Sequence, residues 1–182
     1  AIWLASGLLW FVLEGVAAAG RPGYDYATDD ISDLGVTTVV MNVEFWLQGI
    51  LFLVAAVLAV RLAGGWMRWL FLVIAVAYAV GMFLIAVFPS SPQAQADGTI
   101  LIHVVGANLA IVGGDVALIV AGLGSRSLGT TAAFRVTAFN GALLLYLLPV
   151  PSLVRVLLSV VAVGVVVAFL VLEHRLRQFH RE

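Results

Sequence analysis

The chain has 182 residues, of which 63% are hydrophobic and only 10% charged, whereas soluble domains carry about a quarter charged residues. Its formal net charge of −1 offers no basic surface for nucleic acid, and its mean hydropathy of +1.14 indicates a membrane protein. It contains no cysteine, which excludes disulfides and thiol catalysis, and no lysine, which excludes a retinal Schiff base.

Six apolar runs of about 20 residues each predict helices over roughly 2–20, 42–64, 66–88, 99–123, 131–149 and 152–173. The expected fold is an all-α, polytopic membrane protein, a single six-transmembrane-helix bundle spanning residues 1–182. Ala17-Ala18-Ala19 is similar to a signal-peptidase site, but Glu14 interrupts the first run and favours a retained helix. The first connection, 21–41, is long and acidic. It holds Asp25, Asp29, Asp30 and Asp33 without the spacing of a calcium loop, so it reads as a solvated turn in which Ser32 or Asp30 caps a short helix. Gly64-Gly65 and Pro149-Val150-Pro151 mark tight reversals, and Pro89 and Pro92 fall in the third connection.

With the N-terminus in the cytoplasm, Arg61, Arg68, Arg126, Arg135, Arg175, Arg177 and Arg181 lie inside, and only Arg21 and Arg155 lie outside. Seven against two obeys the positive-inside rule. Both termini are then cytoplasmic and the acidic loop faces outward. Arginine as the sole basic residue besides histidine, with abundant Ala, Val and Gly, suggests a GC-rich coding sequence, and the expected location is the bacterial inner membrane.

Polar groups within the runs carry the functional signal, because an ionised side chain at a helix centre costs about 2.5–3.5 kcal/mol on the mildest insertion scale. At about 1.5 Å per residue, Glu14 lies about 9 Å and His103 about 6 Å inside the outer ends of their helices. Glu44 and Arg155 lie closer still to the outer ends of theirs. With Gln48 one turn below Glu44, these residues predict an outward-facing polar pocket covered or lined by the loop that contains Ser32 and Asp33. Such a pocket suits a lipid head group, a divalent cation held by His103 and Glu44, or a reacting bond. The structural alternative is a set of ion pairs, such as Glu14 with Arg155. Deeper in the bundle, Asn108, Asp115 and Asn140 suit either an ion path or interhelical hydrogen bonds beside Gly106, Gly113 and Gly114.

Several chemistries lack their residues. His103 is the only membrane histidine, so paired axial haem ligands are missing. Gly113-Gly114-Asp115 with Tyr24-Asp25 is similar to the paired motifs of intramembrane aspartyl proteases. However, Asp25 falls in a loop and the second, proline-containing motif is absent. No Gly-x-Ser-Gly of the rhomboid type occurs, and the tail from His174 to Arg181 is a basic segment suited to anionic head groups.

Ile31-Ser32-Asp33-Leu34-Gly35 between the first two helices, His103 and Gly106 opening a glycine-rich fourth helix, and Arg155 opening the sixth resemble a known family. It is the six-helix membrane family filed as domain of unknown function 998, and the resemblance spans essentially the whole chain. That family is more distantly similar to the Frag1/DRAM/Sfk1 group, whose members are linked to lipid and GPI-anchor remodelling. The resemblance implies a lipid-related role. One departure is Leu153-Val154-Arg155, where the family often places an acidic or polar residue before the arginine.

The resulting expectation is a protein that binds a lipid or other amphiphile through Glu14, Ser32, Asp33, Glu44, Gln48, His103 and Arg155, with catalysis left open. Two further readings stand beside it. One is an accessory subunit packed on a membrane-protein partner or on further copies of itself; the other is a small proton-coupled transporter that would require Asp115.

Overall fold

A computed structural model describes residues 2–60 and 65–124. The predicted helices over 131–149 and 152–173 lie outside the described residues, as do Asn140 and Arg155. Among the described residues the regular structure is helical: α1 (Ile2–Ala19), α2 (Ile31–Thr37), α3 (Val39–Ala59), α4 (Met67–Val87), α5 (Pro92–Asp97) and α6 (Ile100–Gly124). Three are long and apolar enough to cross a bilayer, namely Val39–Ala59, Met67–Val87 and Ile100–Ala117, while the apolar stretch Ala5–Ala19 of α1 is shorter. The protein is therefore an all-α, multi-pass membrane protein.

The chain divides into two units, one of Ala1–Leu58 with Leu72–Gly114, the other of Ala59–Phe71 with Asp115–Glu182. In the first unit, neighbouring helices run antiparallel. Ser6 meets Gln48, the Trp10 ring lies 5.8 Å from Phe45, and Gly20 lies beside Thr38, so α1 and α3 pair in opposite directions. Trp46 against Phe83 and Phe52 against Tyr78, at ring separations of 4.6 and 4.3 Å, do the same for α3 and α4. The α4/α6 crossing is the closest. A Cβ on Gly81 would sit 2.6 Å from both the Ala110 amide nitrogen and the Gly106 carbonyl oxygen, and one on Gly106 would sit 2.7 Å from Leu84 Cβ. Only two glycines facing each other let the backbones approach so far.

The helices are arranged with polar groups inside. Along α3, Val39, Val43, Trp46, Ile50, Val54 and Val57 are exposed, whereas Glu44 and Gln48 are buried with Met41, Phe45 and Gly49. That exposed stripe suits lipid, where apolar side chains need no burial.

Two connections differ from the sequence expectation. The short helix expected in the 21–41 segment is α2, Ile31–Thr37, with Asp30 at its N-cap position but no side-chain cap bond, and α3 begins at Val39 rather than 42. The joint is a single extended residue, Thr38, whose amide and hydroxyl both donate to the Leu34 carbonyl, at 2.9 and 2.8 Å. Leu34 is fully buried in the core with Met41, Phe45 and Met82, which folds α2 down onto the bundle. Asn42 Nδ2 donates to the Gly35 carbonyl at 2.8 Å, and a Cβ at Gly35 would lie 2.6 Å from Asn42 Oδ1. A side chain at Gly35 would therefore have to displace the Asn42 amide, whereas the Phe45 ring lies at ordinary contact distance. The third connection contains α5, with Pro92 in its first turn and Ser91 Oγ accepting from the Ala94 amide at 3.1 Å.

Candidate functional site

Residues Ser6, Trp10 and Glu14 recur every fourth position on α1 and face α3. On α3, Glu44 and Gln48 are likewise one turn apart. Gln48 links the two helices. Its Nε2 donates to the Ser6 carbonyl at 2.7 Å and to Glu44 Oε1, while Ser6 Oγ donates back to Gln48 Oε1. This is a polar seam inside a membrane bundle: Ser6, Glu14, Glu44 and Gln48 are each at most 6% exposed.

The Ser6–Gln48 contact fixes relative depth. Glu44 is four residues from it on α3 and Glu14 eight residues on α1, about 6 and 12 Å toward the same end. Glu14 thus sits about one turn nearer that end than Glu44. Glu14 receives a side-chain hydrogen bond from Trp10. Its Oε2, like Oε2 of Glu44, is buried without a partner among the described residues.

Beyond Glu14 the seam meets the 20–30 turn. Tyr24 is half-buried there, and burial, followed by the nearby charge of Glu14, then Tyr26, Asp29 and Asp33, pushes its phenol up from 10.0 to about 12. Tyr26, whose ring packs edge-on 5.0 Å from that of Tyr24, is also shifted upward, by burial and then by the charge of Glu14. The Arg21 guanidinium sits 5.5 Å from the centre of the Tyr24 ring. Asp33 on α2 accepts from Ser90 Oγ at 3.0 Å, joining the first connection to the third. Asp97, at the end of α5, accepts from the Thr99 hydroxyl and amide, and these bonds hold its carboxyl below the ordinary value. The described part of this end carries Asp25, Asp29, Asp30, Asp33 and Asp97 against Arg21.

His103 has a different task. Its Nδ1 lies 2.7 Å from the carbonyl oxygen of Phe88, just past the end of α4. A carbonyl only accepts, so Nδ1 carries the proton and the ring satisfies a helix-end carbonyl that α4 leaves open. With Nδ1 so engaged, Nε2 is the nitrogen of His103 left for a metal or ligand, while Glu44 Oε1 is bonded to Gln48 and its Oε2 is not. Among the described residues no three metal-ligating side chains gather.

The structure therefore brings together Glu44 with Gln48, and Glu14 with the tyrosines of the loop, while Asp33 is engaged by Ser90 and Ser32 is half-buried on α2. Asn108, expected as an interhelical contact, is exposed and donates to the Val104 carbonyl of its own helix at 2.8 Å. Asp115 is buried in the second unit. Sequence reading missed Ser6, Trp10, Arg21 and Ser90 as site residues and had Tyr24 only as part of the loop expected to cover or line the pocket. The fourfold spacing of Ser6, Trp10 and Glu14 was the available signal for two of them.

Comparison with known proteins adds a family and no function. No curated protein and no solved structure matches the chain. A family model described as Protein of unknown function (DUF998) matches residues 4–173, nearly the whole sequence, and the chain belongs to that family.

Proposed function

We propose that this protein is a six-helix bundle of the bacterial inner membrane, with both termini cytoplasmic, that binds a lipid or similar amphiphile in a polar pocket at its acidic, outward end. The observation that carries this reading is the pair of buried carboxyl oxygens on Glu14 and Glu44 with no partner among the described residues. Leaving a buried polar group unpaired costs roughly 1–3 kcal/mol, more when it is charged, and ionisable groups in the membrane mark functional sites by default. An arriving head group would supply the missing donors.

An amphiphile suits the surroundings of the seam. Leu8, Phe11 and Val12 on α1 and Val39 and Val43 on α3 are exposed and apolar, ready to meet acyl chains while a head group enters between the helices. Gln48, Ser32 and Asp33 would border the pocket. The distant similarity to the Frag1/DRAM/Sfk1 group points the same way. The His103 ring, engaged with Phe88, supports the pocket from the α4 end.

Native mass spectrometry of the purified protein tests binding. The wild type is expected to retain a specific lipid that Glu14→Gln and Glu44→Gln release while both variants stay folded. Equal retention by all three would turn the assignment to an accessory subunit whose polar seam is structural. Orientation is tested on the cysteine-free chain: Asp29→Cys should react with an impermeant maleimide from outside, and Arg68→Cys should not.

A further inference from the structure

Among the described residues, five buried side-chain atoms have no hydrogen-bond partner: Glu14 Oε2, Arg21 Nη1, Tyr24 OH, Asn42 Oδ1 and Glu44 Oε2. All belong to the last turns of α1, the turn that follows it, or the first turns of α3, so they lie toward one end of the bundle. Glu14 is 4% exposed and Glu44 fully buried, so neither carboxylate is a surface group that water satisfies by default.

Their chemistry is not uniform. When ionised, the Glu14 and Glu44 carboxylates accept only. So does Asn42 Oδ1, whose assignment is fixed because Nδ2 faces the Gly35 carbonyl. Arg21 Nη1 donates only, and Tyr24 OH does either. A complementary ligand offers several N–H donors on one side and an anionic acceptor on the other. The surrounding charge weights the first half: five aspartates and two buried glutamates face one described arginine at this end. An anionic head group with no cationic part would enter against that field.

We infer that the head group bound at this end is zwitterionic, a primary ammonium joined to a phosphate, with the ammonium on the Glu14 side and the phosphate toward Arg21 and Tyr24. This rests on the amphiphile-binding reading and specifies its ligand class. A primary ammonium brings three donors to a group of acceptors. A quaternary ammonium brings none and relies on aromatic faces, but Arg21 already stacks on Tyr24. A bare divalent cation needs several oxygen ligands, and the described residues gather no group of three metal-ligating side chains. The same head-group chemistry occurs in phosphatidylethanolamine and in free phosphoethanolamine.

The test loads the full-length protein in detergent with equimolar phosphatidylethanolamine, phosphatidylcholine and phosphatidylglycerol and reads retention by native mass spectrometry. A second arm adds soluble phosphoethanolamine as competitor. The wild type should prefer phosphatidylethanolamine to the other two by on the order of tenfold, about one net hydrogen bond. Glu14→Gln should erase the preference over phosphatidylcholine, and Arg21→Gln should weaken retention of all three. Because Arg21 lies in a turn outside α1, its variant remains informative if a carboxylate variant fails to fold. Displacement by soluble phosphoethanolamine would support the head-group chemistry with a water-soluble source. Preference for phosphatidylglycerol, or equal retention of phosphatidylcholine and phosphatidylethanolamine, would overturn the ammonium assignment while leaving amphiphile binding intact. Retention of no lipid would overturn both. Equal retention of all lipids by wild type and Glu14→Gln would mean that water alone satisfies the orphaned atoms.

Discussion

Two seams of the same unit are built on opposite principles. Where α4 crosses α6, Gly81 and Gly106 face each other so closely that neither has room for a Cβ. Where α1 meets α3, Ser6, Glu14, Glu44 and Gln48 place polar atoms between the helices, and two carboxyl oxygens have no partner among the described residues. In lipid, apolar contact between helices gains little over apolar contact with acyl chains, so association depends on close packing and on hydrogen bonds. The first seam rests on packing at its crossing and on the His103–Phe88 bond at the α4 terminus. The second uses hydrogen bonds and has spare acceptors, which separates a structural contact from a candidate binding site.

The sharpest way to break this contrast is to fill the packed seam. Gly81→Val forces a side chain onto the backbone of α6 and should cost upwards of ~3 kcal/mol, seen as loss of the folded species in thermal unfolding. If Gly81→Val folds normally, the close crossing is not what holds α4 to α6. Gln48→Leu removes the bonds that tie Ser6 to Glu44, and should cost about 1 kcal/mol. Glu14→Gln should leave stability nearly unchanged, since the glutamine oxygen can keep the Trp10 bond and Oε2 has no partner among the described residues.

The ion-pair alternative is tested by combining Arg155→Ala with Glu14→Gln. If Arg155 is the partner of Glu14, Arg155→Ala alone destabilises and the double variant recovers. If the ligand fills that place, both single variants lose lipid without such recovery.

Smaller effects test the end of the bundle. Ser91→Ala removes the cap of α5 and should cost about 1 kcal/mol, read from the melting temperature in detergent. Tyr24 tests the electrostatics. Its folded value of about 12 lies above the ordinary 10.0, so the unfolded chain loses this proton first. Stability should therefore be fully present below pH 10 and fall as pH rises toward 12. Tyr24→Phe should flatten that decline in a pH series of unfolding measurements. An unchanged decline would mean that neither burial nor the nearby charges shift this ring.

Within the described residues, the apolar runs located the long helices to within a few residues. The first, third and fourth predicted helices, 2–20, 66–88 and 99–123, correspond to α1 at Ile2–Ala19, α4 at Met67–Val87 and α6 at Ile100–Gly124. The errors fell in the connections. A short helix near Asp30 was expected from its capping residues, but one as short as α5 has too few residues for a periodic pattern, and each is held by a tertiary contact or a cap. Leu34 is held in the core, and Ser91 closes the first turn of α5. The second long helix was placed too late for a related reason, since Thr38 alone separates α2 from α3.

Composition alone determined that this is a membrane protein of several apolar helices, because every backbone group in lipid must be satisfied within its own segment and the apolar runs are long enough for that. The spacing of Glu44 and Gln48 also placed them on one helical face. Only the tertiary structure decided which polar residues meet. The Ser6–Gln48 register set Glu14 a turn beyond Glu44, the α4 terminus engaged His103, and α2 folded inward to bring Asp33 to Ser90. Those outcomes depend on how neighbouring helices slide and rotate against one another, and that is set by packing between segments distant in the chain.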